Sequence, residues 1–123
     1  MKKTICFDFD GVINSYKSGW CGEDNIPDPP VDGIAEVIRT LSDMGYEIAI
    51  YPTRLKSWKG TLAVANYIDK MGISQYVKKF SCEKPPAVAY VDDRAICFDG
   101  NTDGLVEKIT SFKSWVEVEN ASE

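Results

Sequence analysis

Histidine is missing from all 123 residues. That removes imidazole acid–base catalysis, Ser–His nucleophiles and histidine-held zinc, leaving carboxylates, lysine, hydroxyls and hard cations as the available chemistry. Apolar runs are short, and none reaches the roughly 20 residues of a bilayer-spanning helix. Met1, Lys2, Lys3 and Thr4 lead into an acidic strand end rather than a signal-peptide pattern, so a cytoplasmic location and no membrane partner are expected. Cysteine is sparse as well. Cys6, Cys21, Cys82 and Cys97 form no Cys-x-x-Cys pair, and two of the four lie in apolar, strand-like runs, the pattern of buried, reduced thiols. Positive charge is in deficit, 14 Lys and Arg against 19 Asp and Glu, and the net charge of −5 argues against a generic polyanion binder. Internal repeats and low-complexity tracts are absent too.

With 44% apolar residues, the chain has enough material for one core and too little for two, so residues 1–123 are expected to form a single domain. Its organising stretch is Ile5 to Val12, an apolar run ending in Asp8, Phe9, Asp10 and Gly11. Read as a buried strand, it puts Asp8 and Asp10 on one face, where two carboxylates need a cation or a retained proton. Residues 14–30 then form a long Gly- and Pro-containing loop that starts at the carboxylate pair, the profile of a substrate-facing flap.

From Val31, the apolar positions Val31, Ile34, Val37, Ile38 and Leu41 follow helical spacing, with Pro30 at the entrance and Gly45 as the stop. Tyr46 to Tyr51 reads as a second buried strand that leads into Pro52, Thr53 and Arg54. A second helix is capped by Ser57, runs through Met71 on a stripe of Leu62, Ala65, Ile68 and Met71, and stops at Gly72. Tyr76 to Ser81 reads as an edge strand protected by Lys78 and Lys79. After Lys84, Pro85 and Pro86 come a strand from Ala87 to Val91 ending in Asp92, Asp93 and Arg94, and a shorter one from Ala95 to Phe98. The last helix is expected from Gly104 to Val116, with Asp103 as its cap and Leu105, Ile109, Phe112 and Val116 on one stripe; the chain end looks frayed.

Alternating strands and helices predict a Rossmann-like, three-layer α/β domain with a mostly parallel sheet of about five strands. Ligands of such sheets bind beyond the carboxyl ends of the strands, where the strand order reverses. Asp8 and Asp10, Thr53 and Arg54, and Asp92 and Asp93 all fall at strand ends of that kind, with Lys84 in the loop feeding the fourth strand. Asp8 and one of Asp92 or Asp93 offer the hard oxygens that magnesium prefers. Thr53 at a turn before a helix suits a phosphoryl oxygen, and Lys84 before proline is a positioned point charge. Together these residues describe a phosphate site.

In this order and spacing the motifs resemble the haloacid dehalogenase superfamily of aspartate-nucleophile phosphohydrolases, over essentially the whole chain. Asp8 to Val12 is similar to its first motif, Thr53 to its second, Lys84 to its third, and Asp92 with Asp93 to its fourth. The resemblance implies that Asp8 attacks phosphorus, and that Asp10 protonates the leaving group and then activates water. It further implies that Thr53, Arg54, Gly11 and Lys84 contact the phosphoryl group, Lys84 also holding Asp8. Magnesium would be bound by Asp8, the backbone carbonyl of Asp10 and a fourth-motif carboxylate, Asp93 directly with Asp92 in support. The chain has no room for the cap domain that many members carry. An open site would favour a large substrate, such as a phosphoprotein or a nucleic-acid end, met by a basic rim of Arg54, Lys56, Lys59 and Arg94, or else a lid from a partner subunit; the small capless fold also resembles nucleotidase-like relatives, which adds a nucleotide to the candidates. The alternative is a receiver-like domain that accepts phosphate and keeps it. Against that reading, Pro52, Thr53 and Arg54 stand where a receiver carries its phosphoacceptor aspartate.

Overall fold

The computed structural model describes residues 3–122. Its elements are β1 (Thr4–Asp8), α1 (Ile34–Asp43), β2 (Glu47–Tyr51), α2 (Trp58–Lys70), β3 (Val77–Phe80), β4 (Ala89–Val91), α3 (Leu105–Thr110) and α4 (Trp115–Ala121). The strands form one parallel sheet in the order β3-β2-β1-β4, flanked by helices in a single Rossmann-like α/β domain. The chain winds outward from β1 through β2 to β3, then returns to the other side of β1. The reversal of strand order therefore lies between β1 and β4, beside Asp8 and Asp92.

Strand alternation builds the core. Ile5 and Phe7 pair in register with Ile48 and Ile50, and this face packs against Ile38 of α1 and against Val64 and Ile68 of α2. Each such side chain contributes roughly 1.5–3 kcal/mol when fully buried. The opposite face carries Cys6 in register with Ala49 and Tyr90, and both Cys6 and Ala49 are buried. Both long helices end at glycine in the left-handed region. After α1 the Gly45 amide donates to the Ser42 carbonyl and the Tyr46 amide to that of Leu41, and Gly72 and Ile73 repeat the pattern after α2. Ser57 caps α2 by accepting from the Gly60 amide.

Four expectations need correction. Ala95 to Phe98 pairs with no strand among the described residues, so the sheet has four strands there instead of about five, and Cys97 is exposed rather than buried. An apolar run of that length can only become a strand beside a partner edge. The buried ridge of α2 is Gly60, Val64 and Ile68, with Leu62 and Ala65 turned outward. The reason is Gly60, which approaches the Arg54 carbonyl so closely that a Cβ there would overlap it, and this contact fixes the rotation of the helix. The expected last helix is broken in two. Thr110 and Ser111 donate back to carbonyls of their own turn, and Ser114 restarts the chain by accepting from the Glu117 amide. Gly104 rather than Asp103 occupies the cap position of α3. No helix among the described residues is long and apolar enough to cross a membrane.

Candidate phosphate and metal site

The sheet ends at Asp8, and strand alternation ends with it. Phe9 is fully buried, meets Tyr67 edge-on at 5.2 Å between ring centroids, and its carbonyl accepts from the amides of Val12, Ile13 and Asn14. This tight turn sends Asp8 and Asp10 to different partners. Both line one cavity of about 250 Å³ with Tyr16, Trp20, Thr53, Asp93 and Arg94, yet their carboxylates are not a pair. The repulsion expected from their spacing is relieved by the turn itself.

Asp8 faces Asp92 and Asp93. Ligand oxygens of the three half-buried carboxylates lie within 4.8 Å of one another. Burial pushes the Asp8 carboxyl up to about 8; the Phe9 amide, donating to Oδ1 at 2.8 Å, opposes the shift, and Asp93 and Asp92 add to it. Asp93 Oδ1 is buried and has no hydrogen-bond partner, whereas Asp92 Oδ1 accepts from the Arg94 amide at 2.8 Å. An orphaned carboxylate oxygen beside two further carboxylates is a donor set that fits a hard divalent cation, and it favours Asp93 over Asp92 as the direct ligand. The carboxylate of Asp10 stands outside this group, so of the two readings of the Asp8–Asp10 spacing, a cation between the carboxylates or a retained proton, the first is corrected, and the raised Asp8 carboxyl accords with the second.

Asp10 is instead held by Arg54 and Asn14. Arg54 Nε lies 3.1 Å from Oδ2, its Nη2 lies 3.1 Å from Oδ1, and Asn14 Nδ2 donates to Oδ1 at 2.8 Å. The remaining guanidinium nitrogen donates to the carbonyls of Gly22 and Glu23 at 2.6 and 3.1 Å, and Trp20 lies against the guanidinium with 4.5 Å from Cζ to the ring centroid. Arg54 is only 2% exposed. Its expected place in an exposed basic rim is therefore corrected: it is buried, does not line the cavity, has four of its five N–H groups bonded to Asp10, Gly22 and Glu23, and ties the general acid/base candidate to the loop over the site. Lys56 and Lys59 do not line the cavity either, Lys59 lying over Trp58, so Arg94 is the rim cation that faces it.

Gly11 also changes role. Its amide donates to the Asn14 carbonyl at 2.8 Å, so it is not free for phosphate. It has φ 85°, and a Cβ there would stand 2.6 Å from Asp93 Cγ, with an Asp93 oxygen nearer still. Only glycine lets Asp93 reach its place beside Asp8. The Gly11 carbonyl accepts from Trp115 Nε1 at 2.7 Å, which ties α4 to the turn.

Thr53 stands exposed at the cavity, first residue of a short 3-10 turn (Thr53–Lys56) after the buried Pro52. Lys84 does not line the cavity, and its amine lies over the Tyr90 ring, 4.4 Å from the centroid. It makes no ion pair with Asp8 among the described residues. Its backbone is nevertheless anchored: Pro85 is buried and its carbonyl accepts from the Tyr90 hydroxyl at 2.6 Å. The thiol of Cys6 is pushed up by burial, with Lys84 opposing and Asp8 and Asp92 adding.

The loop of residues 14–30 does face the site, and it is tied down rather than hinged. Ser18 donates from its amide and hydroxyl to the Asp28 carboxylate, Tyr67 donates to the Asp28 carbonyl, and the Ser15 and Val31 amides close its base. Sequence reasoning missed Asn14, fully buried and bonded to Asp10, and Trp115. The only signal for Asn14 was a polar residue closing the turn four positions after Asp10; for Trp115 there was none.

No protein-family model matches this chain, and no curated protein does. Among solved structures it is similar to a conserved protein from Bacteroides thetaiotaomicron, at 16% identity and a TM-score of 0.55, over 96% of this chain and 98% of that one. At that identity the likeness establishes the fold shared by the two chains, a Rossmann-like α/β domain.

Proposed function

We propose that the protein is a magnesium-dependent phosphomonoester hydrolase of haloacid dehalogenase type, working through an aspartyl-phosphate on Asp8. The observation that carries this reading is the partnerless Asp93 oxygen beside Asp8 and Asp92, in a cavity that also presents Thr53 and Asp10. Asp8, Asp93 and, in support, Asp92 would hold magnesium, which would offset part of the charge of the carboxylates and of the phosphoryl oxygens.

An Asp8 oxygen forms the bond to phosphorus while the ester oxygen leaves. Asp10, which must take up a proton before this step, gives it to that oxygen, and the Arg54 and Asn14 N–H groups stabilise the carboxylate left behind, the form they hold in the structure. In the second step Asp10 takes a proton from water, the hydroxide displaces Asp8 from phosphorus, and inorganic phosphate departs. Thr53 and Arg94 hold phosphoryl oxygens, and Lys84 reaches the same group by leaving the Tyr90 ring, a rotation of its own stem over a fixed backbone.

The test is release of inorganic phosphate from an aryl phosphate with magnesium, beside chelated protein and Asp8→Asn. Turnover that disappears in both controls is expected, with Asp8→Asn at least a thousandfold below the natural protein, the order of loss when an essential nucleophile is removed. Stable phosphorylation of Asp8 without turnover would instead make the site a phosphoacceptor.

A further inference from the structure

Of the features of this cavity, the proposed chemistry leaves unused its aromatic wall. Trp20 has one face against the Arg54 guanidinium, yet the residue lines the cavity and remains 56% exposed, so the ring is left uncovered on the side away from Arg54. Tyr16 lines the same cavity and is the one residue other than glycine with positive φ among those described, at 59°. A side chain in that region is strained, and the strain is maintained here by bonds on both sides: its amide donates to Asn14 Oδ1 at 3.1 Å and its carbonyl accepts from the Gly19 amide at 3.0 Å. Both aromatics are thus set by the residues that hold Asp10.

The volume sets the scale of the ligand. At about 250 Å³ the cavity is below the roughly 300–1,000 Å³ of pockets that enclose drug-sized ligands, so it holds a phosphoryl group and one flat group beside it, with the remainder of the ligand at its open mouth. The wall does not swing away to admit more, because Arg54 fixes Gly22 and Glu23, and Asp28 is bonded to Ser18 and Tyr67. Arg94, with no ion pair among the described residues, supplies positive charge on the phosphate side.

The geometry points to a small phosphomonoester whose leaving group carries a flat aromatic ring system, of nucleoside monophosphate size, with the ring stacked on the open face of Trp20. This rests on the phosphohydrolase reading above, and prefers a small molecule to the macromolecular ends that an open site would favour. Stacking on an aromatic side chain is worth about a tenfold change in affinity or more for one base.

The experiment compares adenosine monophosphate with ribose phosphate, alike except for the base, in the natural protein, Trp20→Phe and Trp20→Leu. Leucine fills the space over Arg54 without a stacking face, so the comparison does not depend on an emptied loop. With magnesium present, kcat/KM for adenosine monophosphate is expected to exceed that for ribose phosphate about tenfold in the natural protein and largely so in Trp20→Phe, and the ratio is expected to fall towards one in Trp20→Leu. Equal values in the natural protein, or a ratio unchanged in Trp20→Leu, would overturn the inference and leave the hydrolase intact. If neither compound is turned over, calorimetric titration of the magnesium-loaded protein with each decides independently. Tighter binding of adenosine monophosphate that Trp20→Leu abolishes upholds the stacking site while the hydrolase reading fails; equal binding, or none, overturns the stacking site.

Discussion

Arg54 brings a permanent charge into the interior and finds every partner it needs within one residue's reach: the Asp10 carboxylate, two loop carbonyls and an indole face. Removing one member of a buried, hydrogen-bonded ion pair leaves the other uncompensated, so Arg54→Met is expected to lower unfolding stability by about 3 kcal/mol, read from urea denaturation. It should also make residues 14–30 more sensitive to proteolysis than they are in the natural protein. Arg54→Lys keeps the charge but loses the forked geometry, and should show the same protease sensitivity. Gly11 makes a second prediction at this scale. Gly11→Ala places a Cβ where the Asp93 carboxylate stands and adds about 1–2 kcal/mol of backbone strain at φ 85°. Its thermal midpoint is expected to fall, and the rise on adding magnesium, measured by scanning calorimetry, is expected to vanish.

At the scale of elements, the site depends on a helix that contributes no ligand. α4 reaches the Asp10–Gly11 turn through Trp115 Nε1 and reaches the loop through the ion pair of Lys17 with Glu119 and the bond from Asn120 to the Lys17 carbonyl. Trp115→Phe removes the indole N–H and keeps a ring. We expect it to raise the magnesium concentration needed for half-maximal turnover several-fold, with kcat at saturating magnesium within about twofold, since about 1 kcal/mol of hydrogen bond acts there only through Asp93. An unchanged magnesium requirement would show that α4 merely rests on the turn. Gly60 is the corresponding constraint for α2, because the closeness of its backbone to Arg54 settles which side of the helix faces the core.

For the molecule as a whole, the acidic group links proton binding to folding, and under the proposed function it links the metal to both. Asp8 titrates at about 8 in the folded, metal-free protein against 3.8 ordinarily, so between those values the folded state retains a proton that the unfolded chain releases. That contribution to stability is complete below about pH 4 and lost as pH rises through about 8. Thermal midpoints of chelated protein should therefore decline across this window more steeply than those of Asp8→Asn, which has nothing to titrate. Magnesium should flatten the decline, because the cation balances the charge that the proton balanced.

Much of this was legible in the chain itself. The alternation of apolar runs, with Gly45, Ser57 and Gly72 at helix boundaries, determined a parallel α/β sheet, because each of those residues acts through its own backbone or cap; Pro30, expected at the entrance of α1, instead pairs with Asn14, and α1 starts after Gly33. The absence of histidine and the placing of Asp8, Thr53, Asp92 and Asp93 at strand ends determined which chemistry was available and at which end of the sheet. Tertiary structure decided what local pattern cannot carry. Spacing put Asp8 and Asp10 on one face, but the turn at Gly11 separated them. Composition made Arg54 a surface cation, and only the meeting of β2 with the 14–30 loop made it a buried clasp. The exposed state of Ala95 to Phe98 follows from the lack of a neighbouring strand, and the rotation of α2 from a contact with a carbonyl far from its own stripe. Period and capping are properties of a few adjacent residues; who meets whom across the fold depends on how the whole chain closes on itself.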